Sequence, residues 1–375
     1  MNIIYLDNSA TTRVYPEVAA AMTAAMEADY GNPSSLHTMG FSAEKTVTAA
    51  REKIARRLGA SAKEIVFTSG GTESNNLALI GAYGAMRIKG GIITTYAEHK
   101  SVLEPIKALG GARYLAVDKN GRIDLGELRE AVDENTSIVS IMHVNNETGA
   151  IAPLEEIAAV IKRKNPKTLL HVDAVQSFCK LSIPKNTADL ISISAHKIHG
   201  PKGAGALYIR KGVRVKPLIL GGGQEGGMRS GTENTPGIAG FGVAAEMPYD
   251  AAHITRLNRV LRERLHGVTV NSPDSGAAHI LNIAAVGVRS EILLHSLERE
   301  GVIVSSGSAC SSNSSRASSS SHVLTAMGLP PDVIDSSVRL SLSPLNTLDE
   351  INRAAEIINK TAEQLRAVIS KKSAR

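Results

Sequence analysis

Ile65-Val66-Phe67-Thr68-Ser69-Gly70-Gly71-Thr72 decides the fold. A short apolar run, rich in residues that suit a pleated surface, reads as a buried strand, two glycines as a turn, and Thr72 as the start of a helix running to Met86. The same texture repeats downstream. Apolar runs at 92–95, 113–117, 138–143, 169–174, 190–194 and 206–209 read as strands, several separated by helical spacing such as that of 154–164. Continuous apolar strands between amphipathic helices imply a mainly parallel, seven-stranded sheet covered on both faces, an α/β layer. The apolar spacing of 42–58 places a helix on its outside. Past Gly242 the texture changes. Helices are expected at 251–266, 291–299 and 348–369, with short strands at 268–271, 279–285 and 337–341, as in a smaller α+β unit. The expected division is a large domain over 15–250 and a small one built from 1–14 with 251–375.

Composition excludes several classes. The chain has 375 residues, 43% of them hydrophobic and 21% charged, as in ordinary globular proteins. Aromatics are 3% with no Trp, so Ala, Val, Ile and Leu must build the core. The net charge of +6 is scattered, with acids between the bases, so no nucleic-acid groove is expected. The two cysteines, Cys179 and Cys310, make no CxxC, which argues against a thiolate zinc site and against a secreted disulfide scaffold. A reducing cytoplasm is the expected location. The N-terminus carries no signal-peptide pattern, and no apolar run approaches the roughly 20 residues of a membrane span, so no membrane partner is expected.

Five segments hold chemistry-bearing residues. In 194–203 (SAHKIHGPKG), Lys197 follows a strand end, where α/β folds open their ligand crevices, and a lysine held there forms Schiff bases. By itself it reads equally as a solvated loop lysine, as Lys202 does. Asp173 ends the apolar strand of 169–174; it either caps the next structure or pairs with a buried cation such as a protonated pyridine nitrogen, with Gln176 three residues on. In 68–74 (TSGGTES), Gly71 and Thr72 sit at a strand-to-helix turn suited to an anion, although the run is neither GxGxxG nor a GK[ST] loop and also reads as an ordinary helix start. His99, after the strand at 92–95, is an acid/base candidate or a structural histidine. No histidine spacing suggests a metal; His196 and His199 are a bare i,i+3 pair. Cys310, inside the Ser/Gly stretch of 305–321, reads as a nucleophile or as an incidental loop thiol, whereas Cys179 among apolar neighbours reads as packing.

Taken together, the segments resemble the cysteine desulfurases of the NifS/IscS type, within the class-V aminotransferase group. The resemblance covers nearly the whole chain in order: YLDNSATT at 5–12, GNPSSLH at 31–37, FTSGGTESNNLA at 67–78, EHKSV at 98–102 and HVNNETG at 143–149. It continues through HVDAVQ at 171–176, SAHKIHGPKG at 194–203, GGGQEGGMRSGTEN at 221–234, SSGSAC at 305–310 and VRLSLS at 338–343. It implies the fold-type I architecture of pyridoxal-phosphate transferases and the removal of sulfur from L-cysteine, giving L-alanine and a persulfide on Cys310. Lys197 would hold the cofactor as an imine, Asp173 would pair with the ring nitrogen, and His99 would stack on the ring and act as acid/base. Gln176 and Asn146 would bond the ring oxygen. Gly71, Thr72, Ser194 and His196 would hold the phosphate, with Thr232 reaching across a homodimer. Asn32 and Arg339 would bind the substrate carboxylate. The sulfur would pass to an acceptor protein such as an iron–sulfur scaffold. A selenocysteine lyase or an aminotransferase of the same fold is the rival reading, and Cys310 within SSGSAC argues against the aminotransferase. The chain departs from the family after that motif: the serine-rich run from 311 to 321, with Arg316, replaces a usual Leu-Glu-Pro-Ser step.

Overall fold

A computed structural model describes residues 3–306 and 320–373. Its strands, in chain order, are β1 Ile4–Tyr5, β2 Ile65–Thr68, β3 Gly91–Thr95, β4 Arg113–Leu115, β5 Thr136–Met142, β6 Leu169–Asp173, β7 Leu190–Ser194, β8 Gly205–Ile209, β9 Thr269–Val270, β10 Ile280–Ala284, β11 Val302–Ile303, β12 Ser305–Ser306 and β13 Ser337–Ser341. Strands β2 to β8 form one sheet in the order β2-β8-β7-β6-β5-β3-β4, in which only β8 runs against the rest. This is the mainly parallel seven-stranded sheet expected from the apolar runs. Every residue of β7 is buried, because helices cover both faces. The edge strand β4 instead starts on the exposed, charged Arg113, which discourages pairing with another chain.

On one face the helices Pro16–Glu27, Thr38–Leu58, Leu154–Lys164 and Thr235–Glu246 bury a core that includes Ile54, Phe67, Ile141, Ile157, Ile193 and Phe241. Helix 38–58 turns Ala43, Val47, Ala50, Ile54 and Leu58 inward, the 3-and-4 spacing of a single helical face. It begins before Ser42 because His37 caps the Gly40 N–H at 3.2 Å, and it stops at Gly59, whose φ of 66° closes the last turn. On the other face lies a helical run from Gly71 to Ala85 with one π-turn at Leu77–Gly81, followed by Lys100–Ala108; Leu77, Leu79, Ile106, Ile138 and Leu207 pack there.

Helix 235–246 had no counterpart in the sequence reading, because its glycines look like loop residues. They are packing residues here: a Cβ on Gly240 would lie 2.7 Å from Met22, and one on Gly242 would lie 2.7 Å from Ala50. Three helices therefore approach more closely than larger side chains would permit.

A second sheet, β12-β13-β10-β9, is antiparallel throughout. Helices Ala251–Arg264, Ser290–Arg299 and Leu348–Ser373 accompany it around Leu257, Leu261, Leu281, Leu340, Ile351 and Ile358. Ile4 and Leu6 belong to this core, and β1 pairs in parallel with β11. Among the described residues, no helix is long and apolar enough to cross a membrane.

Where β2 and β8 meet, a Cβ on Gly205 would stand 2.6 Å from the Gly70 Cα, so only glycine lets the two backbones come this close. Gly205→Ala is expected to destabilise the protein by about 1–3 kcal/mol through forced backbone movement. Urea denaturation measures this, and an unchanged midpoint would show that the strand ends are not in such contact.

Candidate active site

The C-terminal ends of β3, β6 and β7 point the same way, and the chemistry gathers there. Asp173 ends β6, Ser194 ends β7, and His99 follows β3. Lys197 closes the 3-10 turn Ala195–Lys197 after β7. Its Nζ donates to the carbonyls of Ser9 at 2.5 Å and Ala10 at 2.8 Å. Gln176 Nε2 donates to the same Ser9 carbonyl at 2.9 Å. One peptide oxygen therefore ties Lys197 to the segment that carries Asp173 and Gln176.

Asp173 is buried. Its Oδ2 accepts from Asn75 Nδ2 at 2.8 Å and its Oδ1 from the Val175 N–H at 3.0 Å. Asn75 Nδ2 also reaches Ser101 Oγ at 2.8 Å, and Ser101 in turn meets His99 Nδ1 through both its hydroxyl, at 2.7 Å, and its N–H, at 3.1 Å. The result is a buried chain, Asp173–Asn75–Ser101–His99. Because the Ser101 N–H donates to Nδ1, that nitrogen is the acceptor and the neutral ring carries its proton on Nε2. Burial holds the His99 ring neutral, and Lys197 adds to that while Asp173 opposes it. Beside it, burial raises the Glu98 carboxyl to about 8, with Met142 N–H donating to its Oε1 at 2.7 Å.

A cleft of about 670 Å³ opens onto His99 and Asn146, walled by Tyr96, Lys100, Glu147 and His322. Among the described residues, the buried side-chain polar atoms without partners include Gln176 Oε1, Ser194 Oγ and Arg339 Nε. Gly71 is packed closely here: a Cβ on it would lie 2.6 Å from Val175 and 3.8 Å from Ser194, so the backbone of the turn comes near Ser194. Thr72 stands exposed next to it at the start of the helical run. His196 meets Thr11 Oγ1 at 3.2 Å and is pushed down to about 3, mainly by burial and then by the nearby lysines Lys197, Lys202 and Lys180.

Three expected residues stand apart from this group. Arg339, on β13, is already engaged: Nη2 donates to Asp7 at 2.7 Å and Nη1 to the Asn146 carbonyl at 3.0 Å. Asn32 is exposed, its Oδ1 accepting from the Ser34 N–H at 2.9 Å. Thr232 is exposed and lines neither the cleft at His99 nor the small cavity at Lys197. Cys310 lies outside the described residues. Asn75, Ser101, Asp7 and Ser9 were given no role from the sequence. All four fall within or beside the matched motifs, but their parts depend on contacts between distant segments.

Comparison with known proteins shows the family. The aminotransferase class-V family model matches residues 4–354. The chain is 43% identical to cysteine desulfurase 2 of Trichormus variabilis, over 98% of this chain and 95% of that protein. Among solved structures, a NifS-like protein superposes with a TM-score of 0.91 at 40% identity, covering 97% of this chain and all of the other. A structure titled SspA in complex with cysteine gives 0.81 at 37% identity, covering 92% and 99%. The chain belongs to the class-V aminotransferases and, within them, to the cysteine desulfurases, which are pyridoxal-phosphate enzymes. The residues present fit that cofactor. Ser194 Oγ and the helix start beside Gly71 suit an anion, Gln176 Oε1 suits a ring hydroxyl, and Asp173 keeps acceptor capacity for a ring N–H.

Burial pushes His143, His171, His196 and His199 down to about 4, 3, 3 and 4. In the unfolded chain they titrate at their ordinary value of 6.5. Below that pH the unfolded state binds more protons, so stability is retained above pH 7 and lost as pH falls from 6.5 toward 4. Glu98 and Glu147, both raised by burial, act in the opposite sense, against six histidines lowered by it when His99 and His279 are included. The urea midpoint is expected to be lower at pH 5 than at pH 7; an equal midpoint would mean that these rings accept protons within the fold.

Proposed function

We propose that the cleft is where this cysteine desulfurase removes sulfur from L-cysteine, and that the shared Ser9 carbonyl, holding Lys197 beside Gln176, is the observation that carries the assignment of residues. Lys197 anchors the cofactor. Asp173 faces the ring nitrogen, Gln176 and Asn146 the ring oxygen, and His99 the ring. Gly71, Thr72, Ser194 and His196 hold the phosphate. Bound there, pyridoxal phosphate supplies an electron-poor ring that stabilises charge at the α-carbon of an attached amino acid.

Arg339 meets the cysteine carboxylate with its unpartnered Nε while Asp7 fixes the guanidinium. Asn32 is the second proposed carboxylate ligand. Lys197 takes the α-proton, then returns protons to carbon. His99 is the proposed acceptor of the thiol proton. The Cys310 thiolate attacks the substrate sulfur; the new S–S bond forms as the C–S bond breaks, its electron pair stays with carbon, and protonation of that carbon leaves L-alanine and a Cys310 persulfide. Proton transfers of this kind each contribute about 10²–10⁴-fold.

The working unit is proposed to be a homodimer, with Thr232 of the partner subunit completing the phosphate site. The exposure of this residue, which lines neither the cleft at His99 nor the cavity at Lys197, supports that reading. The two cores favour a division into 15–250 and 1–14 with 251–375. A cytoplasmic location and delivery of the sulfur to an acceptor protein, such as an iron–sulfur scaffold, complete the proposal.

Lys197→Ala is expected to abolish the visible absorbance of the purified enzyme, and an unchanged spectrum refutes the lysine assignment. Cys310→Ser should keep that absorbance yet form no alanine, sulfide or protein persulfide from cysteine. Full activity in this variant would transfer the acceptor role elsewhere.

A further inference from the structure

Behind Lys197 the structure holds a second lysine that the reaction as described does not use. Lys180 and Lys197 line one cavity of about 20 Å³, room for a single water. Lys180 is brought there by an unusual turn. The preceding residue, Cys179, is buried with φ of 61°, a conformation that residues other than glycine rarely adopt. Three contacts hold that turn: Arg57 Nη2 donates to the Cys179 carbonyl at 3.1 Å, Cys179 Sγ reaches the Ala245 carbonyl at 3.6 Å, and Phe178 packs edge-on to Phe241 at 6.1 Å.

No carboxylate lines the cavity. Toward it, the titratable neighbours of Lys180 are Lys197, Cys179, His199, Tyr15 and Tyr249. Toward solvent, Lys180 lines a groove of about 440 Å³ with Arg56, Arg57 and Lys185, again without an acid among the lining residues. Glu246 on the adjoining helix is taken up by Lys53 and Arg56 at 3.0 and 3.1 Å. His196 and His279 also feel the Lys180 charge. Among the described residues, no salt bridge or hydrogen bond to the Lys180 ammonium is found, and burial followed by Lys197 pushes it down to about 7. The Lys197 nitrogen must shed protons during turnover, and while Lys180 holds its own proton, a like charge across so small a cavity favours the neutral form of Lys197.

We propose that Lys180 is a positioning residue for Lys197: aimed across the shared cavity by the left-handed turn at Cys179, its positive charge weakens the hold of the Lys197 nitrogen on its proton. The inference rests on Lys197 being the cofactor lysine.

The test is a spectrophotometric pH titration of the cofactor-bound enzyme, following the visible band that reports protonation at the Lys197 nitrogen. Lys180→Met is expected to raise the midpoint by about one unit, a ten-fold gain in proton affinity, because a cation has been removed. Lys180→Arg, which keeps the charge, should leave the midpoint near wild type. Lys180→Gln, read in the same way, serves if the methionine variant does not fold. An unmoved midpoint in the neutral variants overturns the proposal. So does an arginine variant that shifts as far as the methionine one, since volume rather than charge would then be responsible. If Lys197→Ala keeps the band, the underlying lysine assignment is what fails; if that variant loses the band while Lys180→Met leaves the midpoint in place, only the role of Lys180 fails.

Discussion

The site depends on a peptide carbonyl near the chain's beginning. Ser9 O accepts from both Lys197 and Gln176, so the segment that follows β1 forms the surface on which the reactive lysine rests. That segment is secured on both sides. Toward the second sheet, Asn8 Nδ2 and the Ser9 N–H donate to the Ser341 carbonyl and hydroxyl, each at 2.8 Å. Toward the first, Thr12 Oγ1 donates to the His196 carbonyl at 2.9 Å and accepts from the His199 N–H at 2.7 Å. Ile4 and Leu6 anchor it in the second core. Neither sheet could build the site without this strip of backbone between them.

Around that strip, burial sets the protonation of nearly every group. His99, His143, His196 and His199 are all driven toward the neutral form, with burial as the leading cause each time. Glu98 is driven the same way, toward its neutral acid. A pocket that disfavours unpaired charge strengthens the charges it does keep paired, such as Asp173 with its two N–H donors and Arg339 with Asp7.

Much of this was legible in the sequence, for identifiable reasons. The strands of the central sheet are buried on both faces and so read as plain apolar runs; β7 and β13 match the expected spans to the residue. Lys197 and Asp173 stood out because charged residues at the ends of such runs need a reason to be there. Helix 235–246 was hidden because its glycines serve contacts with helices about 190–220 residues earlier in the chain, which no local pattern reports. Asn75, Ser101, Asp7 and Ser9 were hidden for a related reason. Each is an ordinary polar residue whose importance comes from a partner elsewhere: Asn75 from one 98 positions away, Asp7 from one 332 away. Asn32 and Thr232 were read from motif resemblance alone, and a single chain does not bring them to the lysine.

The engagement of Arg339 bears on how the two sheets cooperate. A guanidinium free to meet a carboxylate would pay for its burial poorly, and Asp7 with the Asn146 carbonyl resolves that by fixing the fork in advance. The same strand fixes more than the arginine. Ser305 pairs with Arg339 and Ser306 with Val338, so β12 leads away from the position where the substrate carboxylate is expected. On the far side of Cys310, Ser321 Oγ donates to Glu147 at 2.5 Å and His322 Nε2 meets the Glu98 carbonyl at 2.8 Å, next to Asn146 and His99. The chain therefore leaves the described structure beside Arg339 and re-enters it beside His99. Ser320, at the re-entry, lines the cleft itself, and Arg339, beside the exit, holds the carbonyl of Asn146, which lines it too, so the described ends of β12 and of the segment before His322 converge on one pair of neighbours, Asn146 and His99.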